Sequence, residues 1–391
     1  MNASLQNTSS RLMPDQRTFL LETLLPFWAE RALDEQDGGF FSELTVAGEP
    51  LRTASKSCLV QARLLYVFSH AYVLSKETWA LTAATHAKTF MERHLLTQQG
   101  GWFTAAQEGA RVQSLEVFDL YDQAFVLFGL AWWYKATGDR AAVRRAHHTI
   151  EFLGNDLLDP IHGGWHENVE RSLPRRQNPH MHLLEAMHAL YDATGETFWL
   201  DHAAAIIRLF RDRFYDPATG SLREYLNEDL SPAAGAPGRI REPGHHMEWV
   251  WLLLHHQRLT GDNLTEEAER LFASTRRSGI NDQGLVIEVM DADGLVLDPA
   301  MLLWPQTEAV KAALARHEFV GASFSDASEF LEALFRHHIP DNGPLWINRL
   351  SPEGEHMADT VPTRVLYHLT LCLAEYMRLD PSAKGAEQIR L

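Results

Sequence analysis

Across residues 57–74, apolar side chains stand at Leu59, Val60, Ala62, Leu64, Leu65, Val67 and Phe68, a helical spacing whose apolar face is too broad for a helix lying on a surface. Residues 78–96 keep the helical spacing with a more mixed face. The same alternation of an apolar helix and a more polar partner recurs at 115–137 and 140–157, at 182–194 and 197–214, and at 247–260 and 264–275. A less regular fifth pair covers 304–314 and 325–337, and 362–377 supplies one helix of a sixth. The amphipathic stretch 16–33, ahead of the first pair, is placed to complete the sixth by closing the chain into a ring.

Each pair is introduced by a glycine turn leading into an apolar or aromatic residue: Gly38-Gly39-Phe40, Gly100-Gly101-Trp102, Gly163-Gly164-Trp165, Gly220-Ser221-Leu222, Gly284-Leu285 and Gly343-Pro344-Leu345-Trp346. Counted from Gly39, the steps are 62, 63, 56, 64 and 59 residues. A near-constant period of this size marks a repeat architecture, in which no unit can bury its apolar face alone. Within three hairpins the connectors Thr137-Gly138-Asp139, Thr194-Gly195-Glu196 and Thr260-Gly261-Asp262 join a glycine helix stop to an acidic helix start. The expectation is an all-α closed toroid of six hairpins with the apolar helices inside, forming a single domain over residues 1–391. An open solenoid would need polar caps at both ends, and the sequence has none.

Composition narrows the function. A net charge of −17 over 391 residues speaks against a nucleic-acid or anionic-lipid partner. Residues 1–17 lack an apolar stretch and nothing approaches eighteen apolar residues in a row, so the expected location is cytoplasmic, without membrane contact. Cys58 and Cys372 lie inside apolar helical patterns and are read as small buried hydrophobes.

The period also serves as a ruler. If the inner helices run parallel, similar distances after each turn fall at one end of the barrel: Arg63 is 24 residues after Gly39, Tyr121 is 20 after Gly101, and His182 is 18 after Gly164. His245 follows Gly220 by 25, Trp304 follows Gly284 by 20, and His368 follows Gly343 by 25. In Pro243-Gly244-His245-His246-Met247-Glu248 and in His180-Met181-His182-Leu183-Leu184-Glu185, a histidine and a glutamate three apart share a helix face. A carboxylate there would fix the imidazole tautomer and raise its pKa for proton transfer. Packing or capping is the plain alternative for a lone histidine. A metal would need one histidine from each helix plus Glu248, because adjacent histidines do not point at one spot. Arg63, on an inner helix, would meet either a structural carboxylate or a polar ligand, and Trp304 would offer a flat platform. His147-His148, His255-His256 and His337-His338 are read as packing or surface residues, and Arg175, Arg176, Arg239 and Arg241 as solvated loop charges.

The motifs Gln61-Ala62-Arg63, Asn178 to Glu185, Pro243 to Trp249, Trp304-Pro305 with Glu308, and Tyr367-His368 resemble those of the N-acylglucosamine 2-epimerase superfamily. The resemblance implies an (α/α)6 barrel with a site that uses no cofactor and no metal. By it, His245 and His368 form an acid/base pair, His182 assists ring opening or holds the sugar, and Glu248 orients or polarises His245. Arg63 binds sugar oxygens, with Asn178, Trp304, Glu308 and Tyr121 also on the sugar. The partner is then a small-molecule sugar and the protein a monomer or homodimer. Both aldose-ketose isomerisation and 2-epimerisation proceed through one enediol, so the histidines alone do not choose. The compact Pro-Gly-His-x-x-Glu-Trp and Tyr-His motifs resemble the mannose isomerase branch, and Thr363-Arg364 ahead of Tyr367-His368 departs from the disaccharide epimerases. A glycoside hydrolase on the same toroid would instead need paired carboxylates from among Glu248, Glu308, Asp122 and Glu185.

Overall fold

A computed structural model of the protein describes residues 13–52, 55–107, 113–115 and 117–381. Its helices are numbered here in chain order. Helix α1 spans residues 16–31 and contains a π-helical stretch, Phe19–Leu24. The rest are α2 (Cys58–Ser75), α3 (Thr78–His94), α4 (Leu120–Thr137), α5 (Arg140–Phe152), α6 (Asn178–Thr194), α7 (Thr197–Leu209), α8 (Pro243–Thr260), α9 (Thr265–Ser278), α10 (Leu303–Val320), α11 (Ser325–His338) and α12 (Leu366–Leu379). Even-numbered helices form an inner ring in which each packs against its two neighbours, with α12 closing onto α2. Their buried faces continue into one hydrophobic core. Odd-numbered helices pack outside. The chain is an (α/α)6 toroid, as the periodicity predicts.

The sixth outer place is filled by α1. Phe19 meets Phe335 of α11 edge-on at 5.0 Å, while Trp28 stacks on Trp346 at 4.6 Å and donates its indole N–H to the Pro344 carbonyl. Closure is reinforced where Glu43–Thr45 pairs antiparallel with Thr360–Pro362. Short strand pairs of this kind, absent from the all-α expectation, link the loops at one end of the barrel. One explains a boundary difference: the helix expected from Leu115 begins at Leu120, because Gln113–Leu115 pairs with Ala105–Gln107 and the Asp119 side chain caps the helix start by accepting the Tyr121 N–H. Elsewhere the inner helices start earlier than the periodicity indicates, at Asn178 and Pro243, each with proline in its first turn, where the missing N–H has no helical partner to lose. The connector glycines Gly138, Gly195 and Gly261 have the left-handed C-cap conformation.

A recurring clamp ties the first five glycine turns to the helix that follows each. Gln61 accepts the Phe40 N–H through Oε1 and donates Nε2 to the Phe40 carbonyl, both at 2.9 Å. Gln123 does the same for Trp102, and Gln306 for Val286. In the third and fourth repeats a histidine takes the place: His180 Nε2 accepts the Trp165 N–H, and His246 Nε2 the Leu222 N–H. The glycines are required by this approach. At Gly39 and Gly164, both with positive φ, an added Cβ would lie 2.9 Å from Gln61 Oε1 and 2.7 Å from His180 Nε2.

Removing a clamp strands two buried backbone groups, each costing about 1–3 kcal/mol. Gln123→Leu should therefore lower stability by about 2–4 kcal/mol, read as a fall in denaturation midpoint with the slope unchanged.

Candidate active site

Gln61, Gln123, His180 and Gln306 each sit two residues, about 200° around the helix, from an inward-facing side chain, and His246 sits one residue, about 100°, from His245, so anchoring away from the axis aims Arg63, Tyr121, His182, His245 and Trp304 into the barrel. These five, with Asn178, Glu248 and His368, line one cavity of about 340 Å³, within the range of small-molecule sites. Glu308 does not line it, lying beneath His368 instead. Asp122 and Glu185, the other carboxylates considered for hydrolysis, are also outside the lining.

Trp304 stands between two imidazoles, its ring 5.0 Å from His245 and 5.6 Å from His368. It reaches that place because residue 244 is glycine: an added Cβ would lie 2.6 Å from the Trp304 indole. His182 packs against Phe125 and Tyr121, with Nδ1 bonded to Glu185 Oε2 at 3.1 Å, the contact its spacing predicts. Tyr367 donates its hydroxyl to the same Glu185 oxygen. Arg63 is buried without a carboxylate partner among the described residues. It donates to the Tyr121 hydroxyl and the Arg364 carbonyl and lies over the Phe125 ring at 4.1 Å, so the structural salt bridge considered for it does not form.

The partner of His245 differs from the expected one. Glu248, on the same helix, does not bond its ring; it makes no hydrogen bond among the described residues and lies 3.8 Å from His182 Nδ1. His245 Nδ1 instead meets Glu224 at 2.9 Å and Glu242 at 3.3 Å. The reason is direction: side chains lean toward the helix N-terminus, and Glu242, three residues before His245, and Glu224, from the preceding turn, occupy that end. Burial disfavours the charged ring of His245, but these two carboxylates outweigh it and raise its pKa to about 10.

His368 has the opposite environment. Its Nδ1 meets Glu308 Oε1 at 2.8 Å, but the other Glu308 oxygen pairs with the buried Lys311 ammonium at 2.6 Å. Burial dominates and lowers His368 to about 3, helped by Arg63 and Lys311. His182 is likewise lowered, by burial and then by Arg63 and His245. Burial and the Glu308 charge push the Glu248 carboxyl well up from the usual carboxylate range.

Three sets of histidine and carboxylate atoms lie within 4.8 Å of one another: His182 with Glu185 and Glu248, Glu224 with Glu242 and His245, and Glu248 with Glu308 and His368. Their donor types suit a divalent cation, although in the last set Lys311 already supplies a positive charge to Glu308. The neighbouring histidines have other duties. His180 and His246 are clamps, while His188 bonds His256 and His338 bonds the Ile347 carbonyl. Arg175 and Arg241 are buried rather than solvated, paired with Asp159 and with Ser221 and Asp216, while Arg176 is half-buried against Glu167 and Arg239, though bonded to Asp291, is exposed as expected. Of these only Arg176 lines the cavity, joined by Arg364 and Asn348, which the ruler did not single out. Lys311 was visible in sequence as a lysine three residues after Glu308.

A helical ring with this site belongs to the isomerases and epimerases of sugars. The chain is a member of the N-acylglucosamine 2-epimerase (GlcNAc 2-epimerase) family, whose sequence model matches residues 39–372. It is 32% identical to a mannose-6-phosphate isomerase of Rhizobium meliloti, over 91% of this chain and 94% of that protein. With a cellobiose 2-epimerase of Bacteroides fragilis it shares 24% identity, over 88% and 92%. The solved cellobiose 2-epimerase of Spirochaeta thermophila superposes with a TM-score of 0.81 at 27% identity, covering 93% of this chain and 95% of that one. Among the described residues no helix is long and apolar enough to cross a membrane.

Lys311 is the counter-charge for Glu308, and its field also reaches Glu248 and Glu185, whose protonated forms burial favours. Lys311→Met should destabilise the protein by about 3–5 kcal/mol, measured by chemical denaturation at pH 7. A change below 1 kcal/mol would mean the carboxylates are already neutral.

Proposed function

We propose that the protein interconverts an aldose and its ketose, D-mannose and D-fructose, by proton transfer through a cis-enediol after ring opening, using residues 1–391 as a single catalytic unit. The opposite charge environments of His245 and His368 on either side of Trp304 carry this reading. A neutral imidazole suits removal of a carbon-bound proton, and an imidazolium suits donation to an oxygen.

His368 takes the proton from C2 while His245 gives one to the carbonyl O1, forming the enediol. His368 then delivers its proton to C1 as His245 recovers one from O2, leaving the ketone at C2. Both histidines finish as they began. In 2-epimerisation they would finish with their charges exchanged, since one takes a proton from carbon and the other supplies it on the opposite face. The carboxylates around His245 and the lysine behind Glu308 oppose that exchange, which favours isomerisation over the epimerase reading. His182 assists ring opening, with the proton on Glu248 available to the ring oxygen. Arg63, Asn178 and Tyr121 hold sugar hydroxyls and Trp304 lies against the apolar face of the sugar. Glu308 positions His368. No metal or other cofactor takes part, the sugar is the sole partner in turnover, and the protein works in the cytoplasm as a monomer or homodimer.

Incubation with mannose in deuterated water, followed by NMR, tests the reaction. Fructose carrying deuterium at C1, or unlabelled if His368 shuttles its proton without exchange, is expected. Glucose labelled at C2 would favour epimerisation, and no conversion would remove both. Mannose 6-phosphate belongs in the panel, given the relative of that name and the exposed Arg364 at the cavity.

His368→Ala should lower kcat by at least about 10²-fold, and activity should survive EDTA. The rate requires protonated His245, whose pKa is raised to about 10 from 6.5, so kcat should hold through pH 8 and fall only as the pH approaches 10. A fall centred near 6.5 would place the acid elsewhere.

A further inference from the structure

His245 owes its charge to a residue outside the cavity. Glu224 lies four residues after Gly220, between the short strands Ser221–Leu222 and Tyr225–Leu226, and is buried and absent from the cavity lining. Its carboxylate is gripped from several sides. Oε2 accepts from Gln177 Nε2 at 2.9 Å and faces His245 Nδ1, also at 2.9 Å. Oε1 accepts the backbone N–H of Glu242 at 3.2 Å. Gln177 is in turn oriented by the Trp249 indole N–H, donated to its Oε1 at 2.6 Å. The order Trp249, Gln177, Glu224, His245 links one turn of α8 to the start of α6 and back to the first turn of α8.

This order fixes direction as well as place. The indole can only donate, so the Gln177 oxygen faces Trp249 and its amide N–H₂ faces Glu224. Glu224 therefore meets two donors on Oε2, of which the His245 ring must be one, and Nδ1 carries a hydrogen. The second nitrogen, Nε2, is left for the cavity. Among the described residues no lysine or arginine pairs with Glu224: the nearby Arg241 donates to Ser221 and the Gly238 and Ile240 carbonyls. Glu308, the counterpart behind His368, has Lys311 on its other oxygen.

We propose that Glu224 is a positioning residue that, through the Trp249–Gln177 relay, holds His245 as the proton donor of the imidazole pair. It rests on the isomerase reading for the role of that donor but not for its state. The other groups facing His245 leave this assignment to Glu224. Glu242 is partly exposed at the cavity and has a pKa raised to about 7, so it is not a permanent charge. Glu248, from the same helix, makes no bond to the ring and has its pKa pushed well up by burial. His182 is neutral, Trp304 of α10 presents only a ring, and His246 is engaged as a clamp. Glu224 is the carboxylate held ionised below neutral pH, its pKa lowered against burial by His245 and Gln177, whereas Glu242 joins it only above about 7.

The test uses the full-length protein and two readouts. In wild type labelled at histidine ring carbons, the His245 resonance, identified by its loss in His245→Asn, should show an imidazolium at pH 8. In Glu224→Gln the same resonance should titrate at least one pH unit lower. With mannose as substrate, kcat should fall by about 10²-fold with KM within about threefold, and the alkaline limb of kcat should move down by the same interval. Glu224→Asp, which keeps the charge, should restore that limb even where kcat stays reduced. A neutral His245 in wild type at pH 8 overturns the proposal, as does an alkaline limb that stays in place in Glu224→Gln. Should Glu224→Gln fail to fold, the wild-type titration and the Asp variant still decide. The titration needs no substrate, so absence of turnover with mannose would count against the isomerase reading and leave the state of His245 to be read directly.

Discussion

The bidentate grip of an inner-helix side chain on the backbone of a glycine turn organises this protein. A ring of helices packed through apolar faces can slide or rotate each helix at little cost, because leucine against leucine specifies position loosely. A buried amide that must satisfy both the N–H and the C=O of one residue cannot slide. Gln61, Gln123 and Gln306 make that grip in full, and His180 and His246 make half of it. Each lies one or two residues from a side chain facing the cavity. The packing of the ring and the aim of the site are thus set by the same bonds.

Within the cavity, the difference between two similar residues comes from what stands behind them. His245 and His368 are both buried, both bonded through Nδ1 to a glutamate, and both beside Trp304. One glutamate is shared with an ammonium and the other is not. Lys311, placed one turn along from Glu308, offsets the one carboxylate behind His368, whereas Glu224 and Glu242 together outweigh burial at His245. Arg63, without a carboxylate of its own, adds to the bias by facing His368 and His182 with uncompensated positive charge. Electrostatics of this kind acts over a few ångströms in a medium that screens poorly, which is why residues that touch no sugar belong to the description of the site.

The ring, its six-fold period and the end of the barrel that holds the cavity were legible in the chain, because glycine turns and broad apolar helices are local signals that survive folding. Arg63, Tyr121, Asn178, His182, His245, Glu248, Trp304 and His368 were legible through their distance from those turns. The partnership of Glu248 with His245 was not. Spacing by three places two residues on one helix face, but whether they bond depends on what approaches from the preceding loop, and Glu224 comes from a segment whose path no periodicity describes. The buried loop arginines, Arg175 and Arg241, were misjudged for the same reason. Arg175 is fully buried against Asp159, a pairing between positions 16 apart that only the fold brings together. The clamp histidines carried a signal that went unused: His180 and His246 fall where other repeats have glutamine.

Helix α12 carries His368 and also closes the ring against α2 and α1, just after the strand Thr360–Pro362 that pairs with Glu43–Thr45. Five of the six hairpins are local in sequence and can form as the chain emerges during synthesis, but the last join spans most of its length. The growing polypeptide therefore passes through nearly all of its assembly with His368 absent from the cavity. The cavity lining is completed by α12, at the same moment that the open edges of the ring are covered.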